Sequence, residues 1–357
     1  MKIVLACPAP ARTRHGNRVT ALRWSRILRE LGHRVRIVGR WRGEACDLLV
    51  ALHARKSAPS VEALGRSRPE APIVVALTGT DVYRDIHRSR RAMRVLDRAW
   101  RLVALQPLAL AELPRRLRPR ARVIHQSAPA LRRRRRSSAG RFDVCVLAHL
   151  RPEKDPFRAA LAARRLPPSS RIRIVHAGRA LSAAIERRAR RESARNPRWI
   201  WLGERSRTAA RALLARSRIL VLSSRMEGGA NVITEALAAR VPILASRIPG
   251  TVGLLGSRYP GYFPAGDTAA LAALLHRAET EPELYRRLAR ACSRLSALAS
   301  PRRERDAWRR LLAELPGGGG SGGVRIRSRP APRRRDAPPR PGRAPTNRTT
   351  RRTARGR

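Results

Sequence analysis

Lysine is almost missing from this chain of 357 residues: it stands only at Lys2, Lys56 and Lys154, and the other 76 of the 79 basic residues are arginine. So one-sided a choice reads as the codon bias of GC-rich DNA, which makes part of the charge a genomic accent. Acidic residues are scarce too, 25 in all, and the net charge is +54. A field of that sign favours anionic partners: nucleotide sugars, phosphates, nucleic acid or an anionic membrane surface. Aromatics make up only 4%, and neither an aromatic-rich sheet nor a recognisable nucleic-acid module is present, so no specific nucleic-acid partner is expected. The four cysteines, Cys7, Cys46, Cys145 and Cys292, lack paired ligand spacing. They read as buried free thiols in a reducing compartment rather than as a zinc site. No Asp-x-Asp pair of the kind that holds Mg²⁺ or Mn²⁺ on a diphosphate occurs. The expectation is therefore no metal and no cofactor. No run reaches the ~20 apolar residues of a membrane span, and Ile3 to Cys7 is too short for a signal sequence. A cytoplasmic protein is expected, with peripheral contact to anionic lipid left open.

What is present is a repeating alternation of short apolar runs with amphipathic stretches. Lys2 to Cys7, Val35 to Val38, Leu48 to Leu52, Ile73 to Leu77, Leu102 to Leu105 and Val123 to His125 read as strands. The first helix carries Trp24, Ile27, Leu28 and Leu31 at helical spacing and stops at Gly32. Such alternation predicts a parallel sheet with crossover helices, a Rossmann-like domain over residues 1–131. A run of five arginines, followed by two serines and a glycine, then predicts a linker at 132–141. A second series, Val144 to Ala148, Ile172 to Val175, Ile200 to Leu202, Ile219 to Leu222 and Ile243 to Ala245, predicts a second such domain over 142–298. Two such α/β domains place a binding cleft between their carboxyl-end loops. From Gly317 the chain is a Gly/Pro/Arg-rich tail with 13 arginines and one aspartate, for which disorder is expected.

The most informative segment is Ser224-Arg225-Met226-Glu227-Gly228-Gly229-Ala230-Asn231-Val232-Ile233-Thr234-Glu235. It follows the apolar run Ile219 to Leu222 and opens an Ala/Leu-rich helix, so it is a strand-to-helix turn. Gly228 and Gly229 let backbone approach a ligand, and the free N–H groups of Ala230, Asn231 and Val232 suit a diphosphate. Glu227 and Glu235 would be repelled by phosphate, which leaves them for sugar hydroxyls and implies a nucleotide sugar. A lone Glu-Gly-Gly is more often a helix-dipole partner. Here the strand, the turn, the second Glu and the downstream Val241 to Ser246 occur in order, which favours the ligand-binding reading. Asn231 reads as a residue that shapes the turn.

This region resembles the donor-binding half of retaining GT-B glycosyltransferases, with their Glu, seven residues, Glu motif. The resemblance implies that Glu235 grips the ribose and Glu227 a hexose hydroxyl. It further implies that the loop His149-Leu150-Arg151-Pro152-Glu153-Lys154 neutralises the diphosphate, with Lys154 as its lysine and either His149 or Arg151 as its arginine. The helix carrying Trp308, Leu311, Leu312 and Leu315, within residues 299–316, would cross back onto the first domain.

On the first-domain side, the loops at strand ends carry candidate acceptor contacts: Gly16, Asn17, His53, Arg55, Lys56, Thr78, Asp81 and Arg84. Each has an ordinary reading as a turn or packed residue. The combination of Gly16-Asn17, Thr20 to Trp24, Leu31 to His33, Leu52 to Ser57, Leu77 to Asp81, Gln126 to Ala130, His149 to Pro156 and Ser224 to Asn231 is similar to the selenosugar synthases of selenoneine biosynthesis, from Met1 to about Leu315. That resemblance implies transfer from a UDP-sugar such as UDP-N-acetylglucosamine to selenophosphate. Two alternatives stay open: a GT-B transferase with an alcohol acceptor, and a basic nucleic-acid-binding protein.

Overall fold

The computed structural model describes residues 1–10, 16–131 and 140–315. All but the last two residues of the expected linker, and the whole tail, lie outside them. Two six-stranded parallel sheets organise the described chain. The first holds β1 (Lys2–Ala6), β2 (Arg34–Val38), β3 (Leu48–Leu52), β4 (Ile73–Leu77), β5 (Arg101–Ala104) and β6 (Ala121–Val123). Their order is β2-β1-β3-β4-β5-β6. The second holds β7 (Phe142–Leu147), β8 (Ile172–Ala177), β9 (Trp199–Trp201), β10 (Ile219–Leu222), β11 (Ile243–Ser246) and β12 (Tyr262–Phe263), ordered β12-β11-β10-β7-β8-β9. All pairings are parallel.

Both orders reverse direction once, between β1 and β3 in the first sheet and between β7 and β10 in the second. At such a switch point the loops leave in opposite directions and open a crevice at the strands' carboxyl ends. The central strands are apolar throughout because helices cover both faces: every residue of β3 and β4 is buried. Three strands match their sequence-read bounds to the residue, eight differ by one or two residues at one end or both, and β12, only two residues long, gave no periodic signal.

After the second sheet the helix Pro301–Ala313 packs on the first one. Trp308, Leu311, Leu312 and Leu315 join a core with Ile3, Leu5, Val50, Trp24 and Leu28. The indoles of Trp24 and Trp308 meet edge to face at 4.8 Å. Glu304, on the same helix, is fully enclosed yet fully paired. Its carboxylate accepts from Arg23 Nε at 2.9 and 3.1 Å, from Trp24 Nε1 at 2.7 Å, and from the Ser127 amide at 2.8 Å and hydroxyl. Nearby, the Ala128 amide donates to the Ala299 carbonyl at 3.0 Å. The outgoing and returning chain segments are thus tied together beside the first helix, Gly16–Glu30.

Removing one partner of a buried ion pair strands the other charge, at a cost of about 3–5 kcal/mol. Glu304→Ala is therefore expected to lower unfolding free energy by about that amount in urea titration. A loss under about 1 kcal/mol, the scale of an exposed pair, would contradict the pairing.

Candidate active site

The loops after β7 and β10, which flank the switch point of the second sheet, meet through side chains and backbone. Ser223 Oγ donates to the carbonyls of Lys154 and Asp155 at 3.2 and 3.0 Å, and the Arg225 amide donates to the Glu153 carbonyl at 2.9 Å. Glu227 is buried and accepts from Lys154 Nζ and, at 2.6 Å, from Ser224 Oγ. Lys154 and Glu227, read from separate motifs, are thus in direct contact. Beneath them, a Cβ built on Gly250 would come within 1.9 Å of the Glu227 carbonyl oxygen, so the helix Pro249–Leu255 can support this turn only with glycine there.

Gly228 is one of the places where the two halves touch. A Cβ there would lie 2.5 to 2.6 Å from the Gly79 nitrogen and the Thr78 carbonyl, which belong to the loop after β4. That loop is held from within by Asp81, whose fully buried carboxylate accepts from the amides of Ala54, Thr78 and Gly79 at 2.7 to 3.1 Å. Asp81 was expected among the acceptor contacts. Its oxygens are instead spent on backbone N–H groups, a set that fixes the loops after β3 and β4 against each other.

His53 follows β3 with φ of 76°, the left-handed region that a non-glycine residue seldom occupies. The Lys56 amide donates to its Nδ1 at 3.4 Å, which leaves the proton on Nε2, 3.0 Å from Thr80 Oγ1 and 3.8 Å from Asp85. Burial pulls this imidazole below its ordinary pKa, against the raising effect of Asp81 and Asp85. Arg55 and Arg84 flank Asp85 at 3.7 and 3.2 Å, and Arg84 also reaches to 3.8 Å from Glu153 of the second half. Lys56 is exposed beside them. His149 is half-buried and accepts the Arg179 amide on Nδ1 at 3.2 Å. Arg151 is half-buried with its Nε enclosed and without a hydrogen-bond partner among the described residues.

Asn231 opens the helix Asn231–Ala238, following buried Ala230; Val232 is half-buried. Its Oδ1 accepts from Arg23 Nη1 of the first helix at 2.8 Å, and a Cβ on Gly16 would lie 3.8 Å from its Nδ2. Asn17, next to Gly16, is also half-buried. Glu235, one turn further along, lies 3.8 Å from Arg207. Burial raises its carboxyl pKa, opposed by Arg207, Arg211 and Arg23. Arg207 and Arg211 were not singled out from the sequence, and Arg23 and Glu153 lie in motifs named there but were given no role. In a chain with 76 arginines, nothing local marks the one that is buried at a junction.

Two outcomes test this geometry. Since Glu235 has a raised pKa, the folded state is favoured with its carboxyl protonated, and that stability is lost as pH climbs through the folded value. Glu235→Gln should therefore melt above the wild type at pH 7, the gain vanishing below the ordinary carboxylate range; a lower melting temperature at pH 7 would contradict the burial. Gly228→Ala should keep cooperative unfolding but enlarge the radius of gyration by small-angle scattering, because the added methyl meets backbone that cannot rotate away. Unchanged dimensions would show the contact to be dispensable.

Among the described residues no group of three or more His, Cys, Asp or Glu is arranged to hold a metal ion, and no helix is long and apolar enough to cross a membrane. Residues 127–294 match the family model described as glycosyl transferases group 1. Among curated proteins none matches this sequence. Solved structures do. Anabaena HepE, in complex with UDP and glucose, is 18% identical with a TM-score of 0.69, over 88% of this chain and 100% of that one. The sucrose-phosphate synthase of Thermosynechococcus elongatus is 16% identical with a TM-score of 0.68, over 88% and 100%. A glycosyltransferase from Rickettsia africae is 12% identical with a TM-score of 0.64, over 88% and 99%. Identities this low carry the fold, which is GT-B, and residues 127–294 are similar to the group 1 glycosyl transferases over that stretch.

Proposed function

We propose that this protein transfers the sugar of a UDP-sugar, UDP-N-acetylglucosamine foremost, to the selenium of selenophosphate. The observation that carries the donor half is the meeting of Lys154, Glu227 and the Gly228-to-Asn231 turn at the switch point of the second sheet. HepE, with the same fold, is known in complex with UDP and with UDP-glucose, which supports a uridine diphosphate donor here. In this reading Glu235 holds the ribose, Glu227 a sugar hydroxyl, and Gly228, Gly229, Ala230, Asn231 and Val232 offer backbone to the diphosphate.

The acceptor half rests on the selenosugar synthase resemblance and on the first-domain loops. Arg55, Lys56 and Arg84 give an acceptor phosphate something to hold, which a neutral alcohol would not use. A selenium lone pair forms the bond to the anomeric carbon as the bond from that carbon to the UDP oxygen breaks, its electron pair leaving with UDP. Selenophosphate is already anionic, so no strong general base is required. Lys154, with His149 or Arg151, stabilises the charge that grows on the departing phosphate. Side chains and helix N-termini supply the positive charge in this reading, and turnover needs no metal. The buried free thiols suit a cytoplasmic enzyme.

The test is to incubate the purified protein with a panel of UDP-sugars, with and without selenophosphate, and identify products by mass spectrometry. The expected product is a selenosugar formed with release of UDP, at a rate unaffected by EDTA. Efficient glycosylation of an alcohol with selenophosphate ignored would overturn the acceptor half, and turnover lost in EDTA and restored by Mn²⁺ would overturn metal independence. Lys154→Ala should lower kcat about a hundredfold, the scale seen when one preorganised charge-stabilising donor is removed.

A further inference from the structure

Arg23 lies on the first helix, 4% exposed, and its guanidinium fork joins three elements. Nε is held by both carboxylate oxygens of Glu304, at 2.9 and 3.1 Å, on the returning helix. Nη1 donates to Asn231 Oδ1 at 2.8 Å, on the first residue of the helix that follows the glycine turn. An arginine has only donors, so the amide it meets has one permitted orientation, oxygen toward the guanidinium and nitrogen away. On the nitrogen side stands Gly16, the first residue of the opposite helix, whose Cβ, if present, would be 3.8 Å from Nδ2. Among the described residues nothing accepts from that Nδ2. Arg23 Nη2 is buried and likewise without a partner among the described residues. The N-terminal ends of two helices, Gly16–Glu30 and Asn231–Ala238, each the positive end of a dipole, therefore flank an amide whose Nδ2 has no acceptor among the described residues.

We infer that Arg23 is a positioning residue: it locks the Asn231 carboxamide so that Nδ2 donates to a phosphate oxygen of the bound UDP-sugar. The inference rests on the donor half of the function proposed above. It adds a side-chain contact to the backbone N–H that Asn231 was expected to offer the diphosphate, and gives the Glu304 staple a consequence at the site. Arg23 touches no substrate in this scheme and acts through the amide alone. Without the lock, the amide is free to rotate and present its oxygen to the phosphate, which repels.

Two substitutions separate this from a purely structural role. Asn231→Asp keeps an oxygen for Arg23 while removing the Nδ2 donor, so the junction stays intact and the phosphate contact is lost. Arg23→Lys keeps a cation beside Glu304 but lacks the fork that reaches Asn231. Binding of UDP and of uridine is measured by calorimetry for wild type, both single variants and the double variant, with thermal melting as the control on folding. Each single variant is expected to bind UDP about tenfold more weakly or worse, the scale of a charge-assisted hydrogen bond, with uridine binding unchanged. The double variant is expected to be no weaker than Asn231→Asp alone, because the lock has nothing left to orient. Losses that add in the double variant, or UDP binding by Asn231→Asp equal to wild type, would overturn the inference, and the second result does not depend on Arg23→Lys folding. A wild-type protein that fails to bind UDP would overturn the donor reading as well, and so is distinguishable from failure of the lock.

Discussion

The enclosed carboxylate of Glu304 is the constraint on which the arrangement of the two sheets depends. A charge removed from water is tolerated only when its lone pairs are matched, and here the partners come from places far apart in sequence. Arg23 and Trp24 belong to the first helix, Ser127 to the segment that leaves the first sheet, and Glu304 to the helix that returns to it. One carboxylate thereby fixes both chain crossings against the first domain. Through the remaining arm of Arg23 the same network reaches Asn231, so the point that joins the halves also touches the glycine turn.

Close backbone approach brings the halves together at the cleft itself. Gly228 against Thr78 and Gly79 leaves no room for a side chain, and that contact sets the Lys154–Glu227 pair opposite the loop organised by Asp81. Charge is distributed accordingly. Asp81 is met by backbone amides, and other acids at the cleft are matched by cations: Glu227 by Lys154, Asp85 and Glu153 by Arg84, Glu235 by Arg207 and Arg211. Matching of this kind leaves no acid at the cleft without a partner to repel an anion, as the proposed UDP-sugar and selenophosphate would require.

Much of the fold was legible because parallel strands covered on both faces appear as unbroken apolar runs; Leu48–Leu52, Ile73–Leu77 and Ile219–Leu222 were read to the residue. β12 escaped notice because two residues carry no period. Within the site, the Glu227 turn and Lys154 were legible from motif order, and their contact is seen only in three dimensions. Asp81 misled because a carboxylate at a strand end looks the same in sequence whether it faces a ligand or its own backbone. Arg23 and Glu304 are separated by 281 positions, and neither periodicity nor local spacing can report a partner at that distance.

The central claim is that one uridine diphosphate sits at the switch point of the second sheet, between the loops after β7 and β10 and against the first helix. Hydrogen exchange followed by mass spectrometry, with and without UDP, tests it most directly. The account predicts slowed exchange in three separated stretches together: residues 150–156, residues 224–235 and the start of the first helix at 16–24. Protection confined to other segments, with these three unchanged at saturating UDP, would contradict it.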